Sequence, residues 1–172
     1  MIIMEARNLF QGPWKIAVLS VLVIFLSLVI STKPFYTVLS PSRQSVSIDQ
    51  VFVIKVLVGG KNSDKIVAAD INLVFDENKF LLISAKPGNI FKNPIFVRWD
   101  VEGGKFALAE NPQNLVLGAN TEERPTLLEL EFIAISSGGG SKISLGEKSL
   151  VYLYKVGPVY LRGAAGYYQI KD

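Results

Sequence analysis

The sequence predicts an all-β fold, an antiparallel jelly-roll sandwich of two sheets, preceded by one transmembrane helix at the N-terminus. Two patterns predict the sandwich: short runs in which apolar and polar residues alternate, and glycine- or proline-containing turns between those runs. The helix is predicted by one uninterrupted apolar run near the start of the chain. With 172 residues, the chain has room for one domain of ordinary size and a tail.

The N-terminal apolar run covers residues 16–30 and contains nothing more polar than two serines. With its flanks it covers residues 14–32, about 28 Å of helix, which is close to the thickness of the bilayer hydrocarbon. Trp14 suits one membrane interface, and Pro34 prevents the helix from continuing at the other end. We expect a short cytoplasmic N-terminus over residues 1–13, a signal anchor over 14–32 and an extracytoplasmic C-terminal domain. Cleavage of this segment as a signal peptide is the alternative, and it would give a secreted protein.

Residues 33–44 contain two prolines among serines and threonines, a composition typical of a linker. The β domain is then expected over residues 45–172. Gly103 and Gly104 lie between two strand-like runs and predict a hairpin turn, because glycine accepts positive φ angles. The runs with strand character are 51–58, 67–75, 80–84, 95–101, 105–109, 128–134, 142–145, 150–156, 159–161 and 167–171.

Composition excludes several kinds of chemistry. The chain has no cysteine and no histidine, so it forms no disulfide, no Cys/His zinc site and no nucleophile activated by a histidine. Its net charge of +3 comes from residues 1–43, which contain four basic residues and one acidic residue. The rest of the 18 basic and 15 acidic residues balance, so the domain carries no basic surplus that would predict nucleic-acid binding.

Four stretches of the β domain, taken in order, resemble cohesin domains. Residues 70–83 resemble a strand that ends in an aromatic residue and Asp, followed by a turn and a short apolar strand. Residues 86–91 contain the Pro-Gly turn, and residues 106–112 resemble the next hairpin strand with its acidic end. Residues 126–145 resemble a late strand, a glycine-rich turn and the strand after it. The resemblance implies a jelly-roll sandwich of about nine strands, related to cellulose-binding modules.

The resemblance also implies a function. Cohesins are non-catalytic modules that bind dockerins, which are calcium-dependent modules of polysaccharide-degrading enzymes, and the cohesin itself needs no metal or other cofactor. Outward polar residues of one cohesin sheet meet the helices of the dockerin. By strand position, Asp70 and Glu110 match acidic members of that face, and Asn72 is their neighbour. The alternation pattern alone also explains these three residues as ordinary solvent-facing strand positions. The chain departs from scaffold proteins that carry tandem cohesins, because it holds a single module.

Carboxylates elsewhere do not predict catalysis or metal binding. Asp76, Glu77 and Asn78 cluster in a turn, but a calcium loop needs more ligands in an ordered spacing. Glu129 and Glu131 share one strand face, whereas glycosidase carboxylates come from different strands that line a cleft. We therefore expect a solvated turn, a solvated strand face and no enzyme activity.

The aromatic residues support an alternative function, carbohydrate binding at the cell surface. Tyr152 and Tyr154 fall on one face of a predicted strand, about 7 Å apart, a spacing that suits stacking against sugar rings. The other candidates for such a platform are Trp99, Tyr160, Tyr167 and Tyr168. A third possibility is a structural subunit of a surface layer or appendage.

Overall fold

The computed structural model describes residues 35–60, 66–112, 124–161 and 163–171, in which every regular element is a β-strand. No helix with the length and hydropathy of a membrane span occurs in this described part of the chain. The predicted cytoplasmic segment and signal anchor lie outside it. The strands are β1 (Tyr36–Ser40), β2 (Arg43–Ser47), β3 (Val51–Gly59), β4 (Ile66–Val74), β5 (Phe80–Pro87), β6 (Pro94–Asp100), β7 (Lys105–Glu110), β8 (Thr126–Ala134), β9 (Gly139–Leu145), β10 (Leu150–Leu153), β11 (Gly157–Tyr160) and β12 (Ala165–Lys171).

The smaller sheet has four antiparallel strands in the order β1-β3-β8-β5. Apolar residues of β3 alternate with more exposed ones, so that Phe52, Ile54 and Val56 point into the sandwich. The same period-two pattern in β8 buries Leu128, Leu130 and Phe132. One face of this sheet therefore packs on the core, and the other faces outward.

The larger sheet has eight strands and branches at β4. The order β11-β10-β4-β9-β12-β2 forms its main path, and β7 pairs with the other edge of β4 and with β6. Its pairs are antiparallel except for β12 with β2, which are parallel. The prediction of a purely antiparallel sandwich was therefore wrong at one pair. Strands joined by a short hairpin must be antiparallel, but β2 and β12 are joined by the rest of the domain and can run in the same direction.

Aromatic rings from both sheets meet in the core. Phe52 of β3 lies 5.9 Å from Phe132 of β8 and 5.4 Å from Tyr168 of β12, measured between ring centroids. Phe80 of β5 joins the cluster edge-on, and Phe75 packs edge-on against Phe132. Such contacts add about 0.5–1.5 kcal/mol per pair to the hydrophobic stabilisation. The cluster holds the two sheets together and fixes which faces point outward.

Each of the ten predicted runs contains a strand and the hairpin turn is confirmed, but the run 150–156 ends as a strand at Leu153. The described residues form twelve strands rather than about nine. The turn between β6 and β7 covers residues 101–104, and Gly104 has φ of +60° there. The amide of Gly104 donates to the carbonyl of Val101. The two strands that the sequence did not indicate are β1 and β2.

The predicted linker over residues 33–44 is corrected by β1 and β2. Residues 35 and beyond belong to one compact unit, Phe35–Asp172. Leu39 of β1 is fully buried, and the carbonyl of Pro41 accepts a 2.7 Å hydrogen bond from the hydroxyl of Tyr168. Residues 35–44 therefore belong to the sandwich, with Pro41 in the turn between β1 and β2, where its missing N–H leaves no strand hydrogen bond unmade. Residues 33 and 34 lie outside the described part of the chain.

Candidate protein-docking face

Four neighbouring strands of the larger sheet, β10, β4, β7 and β6, present a broad outer face, which we call the docking face. Its centre consists of small side chains. Ala68 of β4 is in register with Ala109 of β7, and Ala107 lies two residues before Ala109 on the same strand. Tyr152 of β10 borders Ala68, and Ile95 of β6 borders Ala109. Ala68 and Ala109 have small side chains between the larger Tyr152 and Ile95, and we call this part of the face the alanine trough.

Asp70 lies on the docking face, as predicted, and forms an ion pair that the sequence did not reveal. Its carboxylate accepts a 2.6 Å hydrogen bond from the guanidinium of Arg98 on β6. Asp70 and Arg98 are both in register with Ala107, which lies on the strand between them. The small side chain of Ala107 leaves the space through which Arg98 reaches Asp70. The pair is partly exposed, so its charges are accessible to a partner.

Asn72 lies on the same face, two residues from Asp70 on β4, and its backbone is held by a buried serine. The hydroxyl of Ser149 accepts a hydrogen bond from the amide of Asn72 and donates one to the carbonyl of Asn72, each 3.0 Å long. Ser149 has no exposed surface. These bonds fix the position of Asn72 where β4 passes from its pairing with β10 to its pairing with β9.

Glu110 does not lie on the docking face, and its prediction as an outward residue was wrong. Only 8% of this residue is exposed. Its carboxylate accepts hydrogen bonds of 2.8 and 2.9 Å from the backbone amides of Lys92 and Asn93. The alternation of β7 contained the signal, because Glu110 has the same parity as the buried Phe106 and Leu108. Its role is to hold the loop before β6.

Tyr152 lies on the docking face, but Tyr154 does not share its strand. The strand β10 ends at Leu153, and Tyr154 begins the turn that leads to β11. The neighbour of Tyr152 is instead Tyr160 of β11, because Tyr152 is in register with Pro158, two residues before Tyr160. Tyr152 and Tyr160 are both well exposed.

The other predicted platform residues are dispersed. Tyr168 is buried in the core, where burial raises the pKa of its phenol, and Trp99 packs edge-on against Phe106. Tyr167 is exposed on β12, and its ring lies over Gly140. The six aromatic residues therefore do not form one surface.

An exposed apolar edge completes the docking face. Ile95, Phe96 and Val97 of β6 are consecutive and all exposed, Val97 at 75%. Phe96 is in register with the buried Leu108 and its ring packs against Trp99, so it lies on the opposite side of β6 from Ile95. The register of β6 against β7 shifts between Phe96 and Arg98, which marks a bulge at Val97. Among the described residues β6 pairs only with β7, and an edge strand with exposed apolar residues is a ready site for association. Sequence reasoning identified this strand but not its position at the sheet edge.

The remaining carboxylate clusters have local partners. Asp76 accepts hydrogen bonds from the backbone and side chain of Asn78, as in an ordinary turn. On the smaller sheet, Glu129 pairs with Lys55 at 2.9 Å, and Glu131 accepts a 2.6 Å hydrogen bond from Ser84. In the part of the chain that the structure describes, no cluster of three or more acidic side chains has the arrangement to hold a metal ion.

The sequence profile of the cohesin domain family matches residues 39–154, more than half of the chain. The chain belongs to the cohesin domain family. None of the curated proteins compared with it matches its sequence. The docking face is thus the outer face of one sheet of a cohesin.

Solved cohesins share the fold at low sequence identity. The sixth cohesin of scaffoldin B from Acetivibrio cellulolyticus, solved with a dockerin, has a TM-score of 0.63 and 16% identity, covering 81% of this chain and 100% of its own. A cohesin module from a Clostridium perfringens family 33 glycoside hydrolase has a TM-score of 0.62 and 16% identity, covering 80% and 96%. A non-cellulosomal cohesin from Archaeoglobus fulgidus has a TM-score of 0.59 and 15% identity, covering 80% and 91%.

Proposed function

We propose that this cohesin docks a dockerin-type protein module on its docking face. The observation that carries the proposal is the alanine trough, since its small side chains leave room between Tyr152 and Ile95. From β10 to β6 there are three strand spacings, about 14 Å, and a helix with its side chains measures roughly 10–12 Å across. One helix of a partner therefore fits between Tyr152 and Ile95.

The chemistry around the trough suits a partner helix with mixed side chains. Asp70, Arg98 and Asn72 offer one anionic, one cationic and one amide group within a few strand positions. The exposed apolar side chains of Ile95 and Val97 offer a surface that becomes buried on docking. Charged groups at such a rim select and orient the partner, while the apolar contacts supply most of the affinity.

The test uses the full chain and the dockerin-type modules encoded in the genome that encodes it. We expect at least one calcium-loaded module to bind, and calcium chelation to abolish binding because the calcium belongs to the partner. Ala109→Arg fills the trough, so it should weaken binding by about tenfold or more. Ser45→Arg is the matched control, since Ser45 is exposed on β2 at the far edge of the same sheet and should leave binding unchanged.

Two results would contradict this proposal. Equal binding by the Ala109→Arg and Ser45→Arg variants would place the dockerin site elsewhere on the molecule. A genome without dockerin-type modules, or modules that all fail to bind, would exclude a dockerin partner. Circular dichroism of each variant shows whether a loss of binding reflects a loss of fold.

Carbohydrate binding is the second candidate, supported by the exposed pair Tyr152 and Tyr160. Diagonal neighbours on adjacent antiparallel strands lie roughly 7–8 Å apart, a spacing at which two rings can contact one sugar chain. A glycan array with the full chain tests this function. Binding should be lost in Tyr152→Ala and Tyr160→Ala but kept in Tyr167→Ala, and an array without any bound glycan would exclude it.

The proposed setting is the cell surface. We infer from the apolar run over residues 16–30 that the cohesin is held on the extracytoplasmic side of the membrane, where secreted enzymes with dockerins would be captured. Fractionation of cells tests this inference. We expect the chain in the membrane fraction and its C-terminal domain accessible to added protease on intact cells. Recovery from the culture medium in a shortened form would show cleavage instead.

A further inference from the structure

The outer face of the smaller sheet carries an exposed apolar patch, opposite in the sandwich to the docking face. One row of this patch crosses three neighbouring strands in register. It consists of Val51 on β3, Ile133 on β8 and Leu81 on β5. Val53 and Ile83 lie beside this row. Val51 and Leu81 are 51% and 49% exposed. A contiguous apolar surface of this kind marks an interaction site rather than an ordinary solvated face.

Charges of both signs continue the same face beyond the apolar patch. A second row across the same three strands begins four residues after Val51 and consists of Lys55, Glu129 and Lys86. Glu131 lies between this row and the apolar row. Lys55 pairs with Glu129, and Lys86 pairs with Glu131. The four side chains carry no net charge, so this surface does not select a strongly acidic or strongly basic partner.

We propose that this face binds a second copy of the chain. The register makes the surface complementary to itself about a twofold axis that runs parallel to the strands between β3 and β8. Each residue of β3 then faces the residue of the second copy that is its neighbour on β8. Val51 faces Ile133 of the second copy, and Lys55 faces Glu129 of the second copy, so these two rows bring apolar groups together and opposite charges together. In the row between them, Val53 faces Glu131 of the second copy.

The dimer leaves the docking face free, since the two faces belong to different sheets. A pair of chains would therefore present two docking faces to the surroundings. This bivalence raises the effective affinity for an enzyme or substrate that engages both sites. The proposal does not depend on the identity of the docked partner.

Charge reversal tests the arrangement directly. Analytical ultracentrifugation of the full chain in mild detergent should show a concentration-dependent dimer. Lys55→Glu and Glu129→Lys should each raise the dimer Kd by about tenfold or more, because like charges then face each other across the interface. An equal mixture of the two variants should form heterodimers, since both intermolecular pairs are restored while each chain keeps its internal repulsion.

An apolar substitution provides the matched control. Val51→Glu should weaken the dimer by about tenfold or more, because it places a carboxylate opposite the apolar Ile133 of the second copy. Val74→Glu should have no effect, since Val74 is equally exposed but lies on the larger sheet. A monomeric wild-type chain, a dimer that survives Val51→Glu, or a variant mixture that fails to pair would each overturn the proposal.

Discussion

The hydroxyl of Tyr168, in the last strand, donates a 2.7 Å hydrogen bond to the carbonyl of Pro41, in the first turn of the domain. The two residues are 127 positions apart in the chain. This bond ties the turn between β1 and β2 to the core, where the Tyr168 ring packs against Phe52 and Phe80. It explains why a proline-containing segment that resembles a linker is part of the sandwich.

The first prediction concerns this bond. Tyr168→Phe keeps the ring in the core and removes only the hydroxyl, so it should lower the free energy of unfolding by about 1 kcal/mol. Tyr167→Phe is the control, since the neighbouring ring is exposed on the outer face and should change stability little. Urea unfolding of the full chain and both variants measures the difference. Equal stability of the two variants would show that the Pro41 bond contributes nothing.

The second prediction separates a structural role for Glu110 from a binding role. Glu110→Ala leaves the amides of Lys92 and Asn93 without their acceptor, so it should lower the free energy of unfolding by about 2 kcal/mol. Glu102→Ala, in the exposed hairpin turn, should stay within about 0.5 kcal/mol of the wild type. Thermal unfolding measures both. A Glu110→Ala protein that is as stable as the wild type but fails to bind its partner would show that Glu110 acts in binding rather than in stability.

The third prediction concerns Ser149, whose hydroxyl makes two bonds to the backbone of Asn72. Ser149→Ala should lower the free energy of unfolding by about 1 kcal/mol, because the partly buried amide of Asn72 loses its acceptor, while the carbonyl of Asn72 keeps the amide of Gly146 as a donor. Hydrogen exchange should become faster at the Asn72 amide in particular. Ser45→Ala, at an exposed position of β2, serves as the control. Unchanged exchange at Asn72 would contradict the proposed role of Ser149.

The fourth prediction is a pH dependence at Glu131. Hydrogen bonds from Ser84 and Lys86, together with the charge of Lys86, lower the pKa of Glu131 below its ordinary value. Because the folded-state pKa is below the unfolded-state pKa, the associated stability is complete above the unfolded-state value. It is lost as the pH falls through the folded-state value.

An NMR titration of the Glu131 side-chain carboxyl measures its midpoint directly. We expect a midpoint below that of an unstructured glutamate, and Ser84→Ala should raise it, since the hydrogen bond from Ser84 is the largest cause of the shift. Ser137→Ala removes an exposed loop hydroxyl and should not change the midpoint. A midpoint that Ser84→Ala leaves unmoved would assign the shift to another group.

Sequence alone determined the positions of most strands, because the alternation of apolar and polar residues is local and reports which side of a strand is buried. Each of the ten predicted runs contains a strand, although the run 150–156 is a strand only as far as Leu153, and the turn at Gly103 and Gly104 is confirmed. The same parity argument, applied to β7, would have assigned Glu110 to the interior. The resemblance to cohesins placed Glu110 on the outer face, whereas the structure buries it.

Only the tertiary structure decided which strands are neighbours, and the candidate site depends on those neighbours. Arg98 reaches Asp70 because β7 lies between their strands and places Ala107 at that point. Tyr152 meets Tyr160 rather than Tyr154 because β10 ends early and β11 returns beside it. Strand pairing joins residues far apart in the chain, and its register depends on packing across the whole core rather than on the local pattern.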